Sequence, residues 1–125
     1  MPLLRRPDLW VPPLLMMGLI FFFSAQSSLD SGLGWIDQVG RKLVHFAEYA
    51  LLCFLWWRLL RTRMSSGRAA LVAFAVSSLY AASDELHQSF VEGRHGNAVD
   101  WAIDSAGAGL MALRLRTRPR ARAAA

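Results

Sequence analysis

Four long apolar segments, residues 9–25, 43–60, 69–82 and 99–115, fill most of the chain, and the polar stretches between them alternate in charge. Such segments leave few folds open. Each is somewhat short of the about 20 residues that cross a bilayer, and running them into their polar ends gives adequate length. The expected helices then cover about 9–27, 42–60, 69–87 and 98–115. A soluble four-helix bundle needs polar outer faces, which these segments barely have. Charged residues make up 18% of the chain, below the quarter typical of soluble domains. The reading is therefore all-α: a polytopic membrane protein, one four-transmembrane-helix bundle over residues 1–115, with a basic, disordered cytoplasmic tail over 116–125.

Charge sets the expected orientation. Arg5 and Arg6, the link carrying Arg58, Arg61, Arg63 and Arg68, and the tail from Arg114 hold eleven of the fourteen basic residues and one acid, Asp8. The other two loops and adjoining helix ends hold eight acids against Arg41, Lys42 and Arg94. By the positive-inside rule both termini are cytoplasmic and both acidic loops lie outside. The net charge of +5 is confined to short stretches between apolar segments, so nucleic acid is not an expected partner. A cleaved signal peptide is the rival reading of the first segment, but residues 23–28 lack a clean small-x-small site, and a retained helix is preferred. Pro12 and Pro13 then fall in its first turns, where a missing N–H costs little. Residues 27–40, with Asp30, Gly32, Gly34 and Asp37, read as a polar loop. Cys53 is the single cysteine, so no intramolecular disulfide forms.

Polar groups collect toward the outer ends of three helices. Lys42, His45 and Tyr49 follow i, i+3, i+7 on helix two, with Glu48 beside them. Tyr80, Asp84, His87 and Gln88 make a similar stripe where helix three emerges, next to Glu85. Asp100 and Asp104 are four apart at the start of helix four, and Arg94 lies in the preceding loop. On helix three, Ala69, Ala73, Ser77 and Ala81 lie four apart as a small-residue stripe suited to close packing in lipid, and Gly107, Gly109 and Ala112 offer the same on helix four.

Each group alone has a structural account. Lys42 snorkels, His45 and Glu48 pair along a helix, and Asp100 and Asp104 suit the helix macrodipole. Asp84 and Glu85 can pair with Arg94 and Lys42 to hold helices together. Together the groups point to a functional site, because an acid or lysine at mid-bilayer costs about 2.5–3.5 kcal/mol and such clusters mark function. His45 or His87 can titrate near neutrality for acid–base work. The oxygen and imidazole content suffices for a divalent metal, yet Glu85-Leu86-His87 lacks the i, i+3 or i, i+4 spacing of helical metal sites, so the cofactor stays open. There is no phosphate loop or nucleophile elbow, and whether the chain is an enzyme is left undecided.

Residues 41–52, from Arg41-Lys42-Leu43-Val44-His45 to Glu48-Tyr49, resemble the first motif of VanZ-like membrane proteins. Residues 84–94, Asp84-Glu85-Leu86-His87-Gln88 through Gly93-Arg94, are similar to the second, and Asp100 with Gly107 and Gly109 to a third. Ser24-Ala25-Gln26-Ser27 after helix one fits the same family. Where the family commonly has asparagine four residues after the aspartate, this chain has Asp104, which adds negative charge; of two facing carboxylates, one then stays protonated. The resemblance implies a multi-pass protein of the bacterial cytoplasmic (inner) membrane and cell envelope, in a family named for low-level resistance to teicoplanin, a lipidated glycopeptide antibiotic.

The expected partners are membrane lipids or lipid-linked envelope intermediates. Lys42 and Arg94 would contact an anionic headgroup, with Glu48, Tyr49, His87, Gln88, Asp100 and Asp104 completing the binding site. His45, Asp84 and Glu85 would carry any proton transfer. A non-catalytic scaffold or antibiotic-interacting protein, its polar cluster only locking helices, is the alternative. A small proton-linked transporter ranks lower, because the acids lie toward the helix ends. Substrate and oligomeric state are not legible.

Overall fold

The computed structural model describes residues 5–24, 34–90 and 98–119. Four helices follow in order: α1 (Pro7–Ser24), α2 (Trp35–Leu60), α3 (Ser66–Gln88) and α4 (Ala98–Leu115), with no strand among the described residues. The all-α architecture matches the sequence reading, and α4 coincides with its expected span. Arg94 with the rest of its loop, the loop residues 25–33 and tail residues 120–125 lie outside the described part; residues 116–119 form a short turn.

Helix boundaries differ for local reasons. The N-terminus of α3 falls at Ser66 because Ser65 caps it, its Oγ accepting the Arg68 N–H at 3.3 Å. The larger difference is in α2, where residues 35–40, expected as loop, are helical. Gly34, at φ 61°, makes the turn into the helix that a side chain would resist. Asp37 then lies in the first turn, where the macrodipole favours negative charge. Of the residues read as loop formers, Gly34 and Asp37 thus belong to a helix start, and Asp30 and Gly32 lie outside the described residues.

Three helices, α1, α2 and α3, are long and apolar enough to cross a membrane, with mean hydropathies of 1.4, 1.4 and 1.3. Their outward faces expose Leu14, Leu15, Phe22, Leu71 and Leu79, a surface suited to lipid. α4 carries Asp100, Asp104 and Arg114 and is not among the three.

α1 begins at Pro7, so Pro12 and Pro13 fall in its second turn. Pro12 has no N–H to give the Asp8 carbonyl, its partner four residues back. Arg58, in the last turn of α2, donates its Nη2–H to that same carbonyl. The proline opens a backbone acceptor, and an arginine from the neighbouring helix closes it. The contact lies exposed at the end of the bundle and ties α1 to α2.

The predicted small-residue stripe is the inner face of α3: Ala69, Ala73, Ser77 and Ala81 are all fully buried. Opposite it, Tyr49, Leu52, Cys53 and Trp57 of α2 supply the bulk. α3 and α4 run antiparallel. Ser78 and Ser105 share a hydrogen bond at 2.8 Å, the Trp101 indole donates to the Ser78 carbonyl at 3.1 Å, and Phe74 lies against Gly109. α2 and α4 run parallel and share the most extensive interface. It is closest at Gly107, where a Cβ would fall 2.2 Å from the Phe46 carbonyl oxygen. Only a glycine permits that backbone contact.

Two outcomes test this packing. Gly107→Ala is expected to destabilise the bundle by about 1–3 kcal/mol, the range for overpacking. Gly18→Ala, with nothing within 4 Å of its Cβ, is not destabilising, because alanine is the better helix former; thermal unfolding in detergent micelles compares them. Arg58→Ala should lower the unfolding temperature, and less so in a Pro12→Ala background, where the restored N–H satisfies Asp8. A double-mutant cycle reads the coupling.

Candidate functional site

The helix directions bring the starts of α2 and α4 and the end of α3 to one end of the bundle. Because α2 and α4 are parallel, a helical turn on one is matched by a turn on the other, and their polar residues pair as two rungs. The outer rung joins Lys42 Nζ to Asp100 Oδ1 at 3.5 Å, with the lysine side chain 44% exposed. One turn deeper, His45 Nδ1 lies 3.3 Å from Asp104 Oδ1. Below that, Gly107 meets Phe46, so the close backbone approach holds both rungs in register.

Asp84 enters from α3, where it continues the small-residue face beyond Ala81. Asp84 is 3% exposed and Asp104 0%, and Tyr49 is fully buried beside them. Donor atoms of His45, Asp84 and Asp104 lie within 4.8 Å of one another. Ser24 at the end of α1 and the Tyr49 hydroxyl face Asp84, but neither Asp84 oxygen completes a hydrogen bond of ordinary geometry. The Asp104 oxygens and the Tyr49 hydroxyl are in the same condition, and the His45–Asp104 approach misses hydrogen-bond alignment despite its short distance. Two buried carboxylates thus lie together with one imidazole.

The remaining predicted residues fall around this centre. Glu85 and Gln88 are buried on α3, the Gln88 amide nitrogen without an acceptor. Glu48 is half-buried and within electrostatic reach of His45. His87 stacks on Phe21 of α1, with ring centroids 4.3 Å apart, so its ring is engaged by α1. Tyr80 donates its hydroxyl to the Met17 carbonyl, a second tie to α1. Lys42 pairs with Asp100, not with Asp84 or Glu85 as the structural account had it. Arg94 lies outside the described residues.

Sequence reading missed the part played by α1. Ser24 was a residue of the family-like exit from helix one with no role, and Phe21 one aromatic in an apolar run. A buried serine at the end of an apolar helix is the one signal that was available.

Chemically, the centre can hold a proton or a cation. The imidazole can pass a proton between two carboxylates, or all three groups can ligate one ion. The spacing test on the sequence weighed ligands within one helix, whereas the grouped donor atoms come one from each of three helices.

No curated protein and no solved structure matches the chain. The VanZ/LLP1 family model matches residues 9–117, a span that contains all the paired and clustered groups of α2, α3 and α4. With helices long and apolar enough to cross a bilayer, this is a multi-pass membrane protein, and the chain belongs to the VanZ/LLP1 family.

Proposed function

We propose that the chain is a bacterial cytoplasmic-membrane protein whose polar end faces outward and engages the anionic headgroup of a lipid-linked envelope component. The observation that carries this reading is the graded polar end. Lys42 stands half-exposed at the rim, above a buried centre of His45, Asp84 and Asp104. A headgroup phosphate meets the ammonium first, and the carboxylate–imidazole centre below supplies acid and base. Glu85 and Arg94 belong to the same proposed site, Arg94 as a second contact to the phosphate. The link to lipidated glycopeptides such as teicoplanin is part of this proposal: an antibiotic that inserts in the outer leaflet would approach the same end.

The outward direction rests on the arginine distribution. The opposite end collects Arg58, Arg61, Arg63 and Arg68, with Arg61 stacked 4.4 Å over the Trp57 ring, a basic–aromatic pair suited to a cytoplasmic interface. The scaffold reading has its own support in the two rungs, which tie α2 to α4 whether or not a ligand binds.

In a Cys53→Ser background, Phe90→Cys, at a position 81% exposed, is expected to react with a membrane-impermeant maleimide added to intact spheroplasts. Thr62→Cys is expected to react only after lysis. The reverse pattern overturns the orientation. For function, Lys42→Gln and Glu85→Gln are expected to abolish the antibiotic and lipid-intermediate phenotypes of the wild type at undiminished membrane abundance, checked by quantitative blot. Wild-type phenotypes in both would favour the scaffold.

A further inference from the structure

The centre of the polar end holds more negative charge than its partners answer. Asp84 and Asp104 are each more than nine-tenths buried, and all four of their oxygens lack a hydrogen-bond donor of ordinary geometry. Native proteins rarely leave buried carboxylates in this state, because the desolvation cost is large and removing one partner leaves it uncompensated. Lys42 is engaged one turn farther out by Asp100. His45 is the cationic side chain at the centre, and it is charged only when protonated.

We propose that His45, Asp84 and Asp104 bind one divalent transition-metal ion, Zn²⁺ or Mn²⁺ in class. Two carboxylates and a dication sum to zero charge, the condition a bilayer-embedded pocket favours. The donor atoms lie within 4.8 Å of one another. Ligands about 2.1 Å from a shared ion are about 3–4 Å apart, so small side-chain rotations close the site. The His45–Asp104 pair has the short distance of a hydrogen bond without its alignment, as two groups turned toward a common third atom do. An imidazole in the set selects against Mg²⁺ and Ca²⁺, which take oxygen ligands. Tyr49 and Ser24 face Asp84 and would orient it from outside the coordination sphere.

Three protein ligands leave a fourth position for water or for an anionic oxygen. Resting on the headgroup reading above, this ion is what the phosphate would meet beneath Lys42. The ion also explains why the ligands come one each from α2, α3 and α4: it joins the three helices at a point where their charges would otherwise repel.

The test is metal content of the full chain, purified from membranes in mild detergent and measured by inductively coupled plasma mass spectrometry. Chelator-treated protein is then titrated with Zn²⁺ and with Mn²⁺. The expected result is saturation near one ion per chain and a thermal midpoint that rises with ion concentration. Asp104→Asn and Asp84→Asn are expected to weaken binding at least tenfold and remove the thermal shift. Asp8→Asn, exposed at the opposite end of the bundle, retains both. No saturable binding by monodisperse wild-type protein, or full binding by the Asp84→Asn, Asp104→Asn double variant, overturns the proposal. Because metal content is read without a phenotype, an ion retained by a protein that engages no headgroup upholds the ion site and removes only the headgroup reading.

Discussion

The contact on which the site depends is made by backbone, where Gly107 of α4 lies against the Phe46 carbonyl of α2. Two parallel helices held this closely have side chains of limited reach between them, so those one and two turns away must interdigitate or pair. Lys42 with Asp100 and His45 with Asp104 are that pairing. If the helices were separated by one more methyl, both rungs would lengthen together, and α3 would lose the position from which Asp84 enters. A residue without a side chain thus sets the distances among those that have chemistry.

Much of this was legible because helical spacing places residues on faces without any knowledge of neighbours. Lys42, His45 and Tyr49 share a stripe by arithmetic, and so do Ala69, Ala73, Ser77 and Ala81, which are indeed the buried face of α3. Asp100 and Asp104, four apart, both turn toward α2. What spacing leaves out is the partner. Gly107 and Gly109 looked equivalent in the chain; one touches backbone and the other an aromatic ring at ordinary distance. His87 continued the Asp84 stripe, yet Phe21 of α1 holds its ring. The beginning of α2 was hidden for a different reason, since Gly34 and Asp37 are common to loops and to helix starts, and only the dihedral angle at Gly34 decides between them.

Polar contacts divide between the two ends of the molecule by type. At the end with the carboxylates, Asp84 and Asp104 are buried, and none of their oxygens has a hydrogen-bond donor of ordinary geometry. At the other end Arg58 takes a backbone carbonyl and Arg61 an aromatic face, while Arg6 pairs with the exposed Asp8 carboxylate. Guanidinium groups suit that work because they remain charged while stacking or giving several hydrogen bonds. The asymmetry leaves the middle of the bundle to aliphatic, aromatic and small residues, with Cys53 buried among them.

Among the described residues α1 packs on α2 and α3 but not on α4, and this has a consequence for how the protein is made. Of the four helices, α1 leaves the ribosome first. Every contact noted for α1 (Arg58, Tyr80, His87) belongs to residues synthesised after it. It must therefore enter the bilayer before these partners, and an apolar helix interrupted by no charge after Asp8 is fit for that wait. α4 arrives last and carries two carboxylates that no isolated span would readily take into lipid. By then α2 and α3 are in place to receive them, so the least insertable helix is the one with its counterparts already waiting.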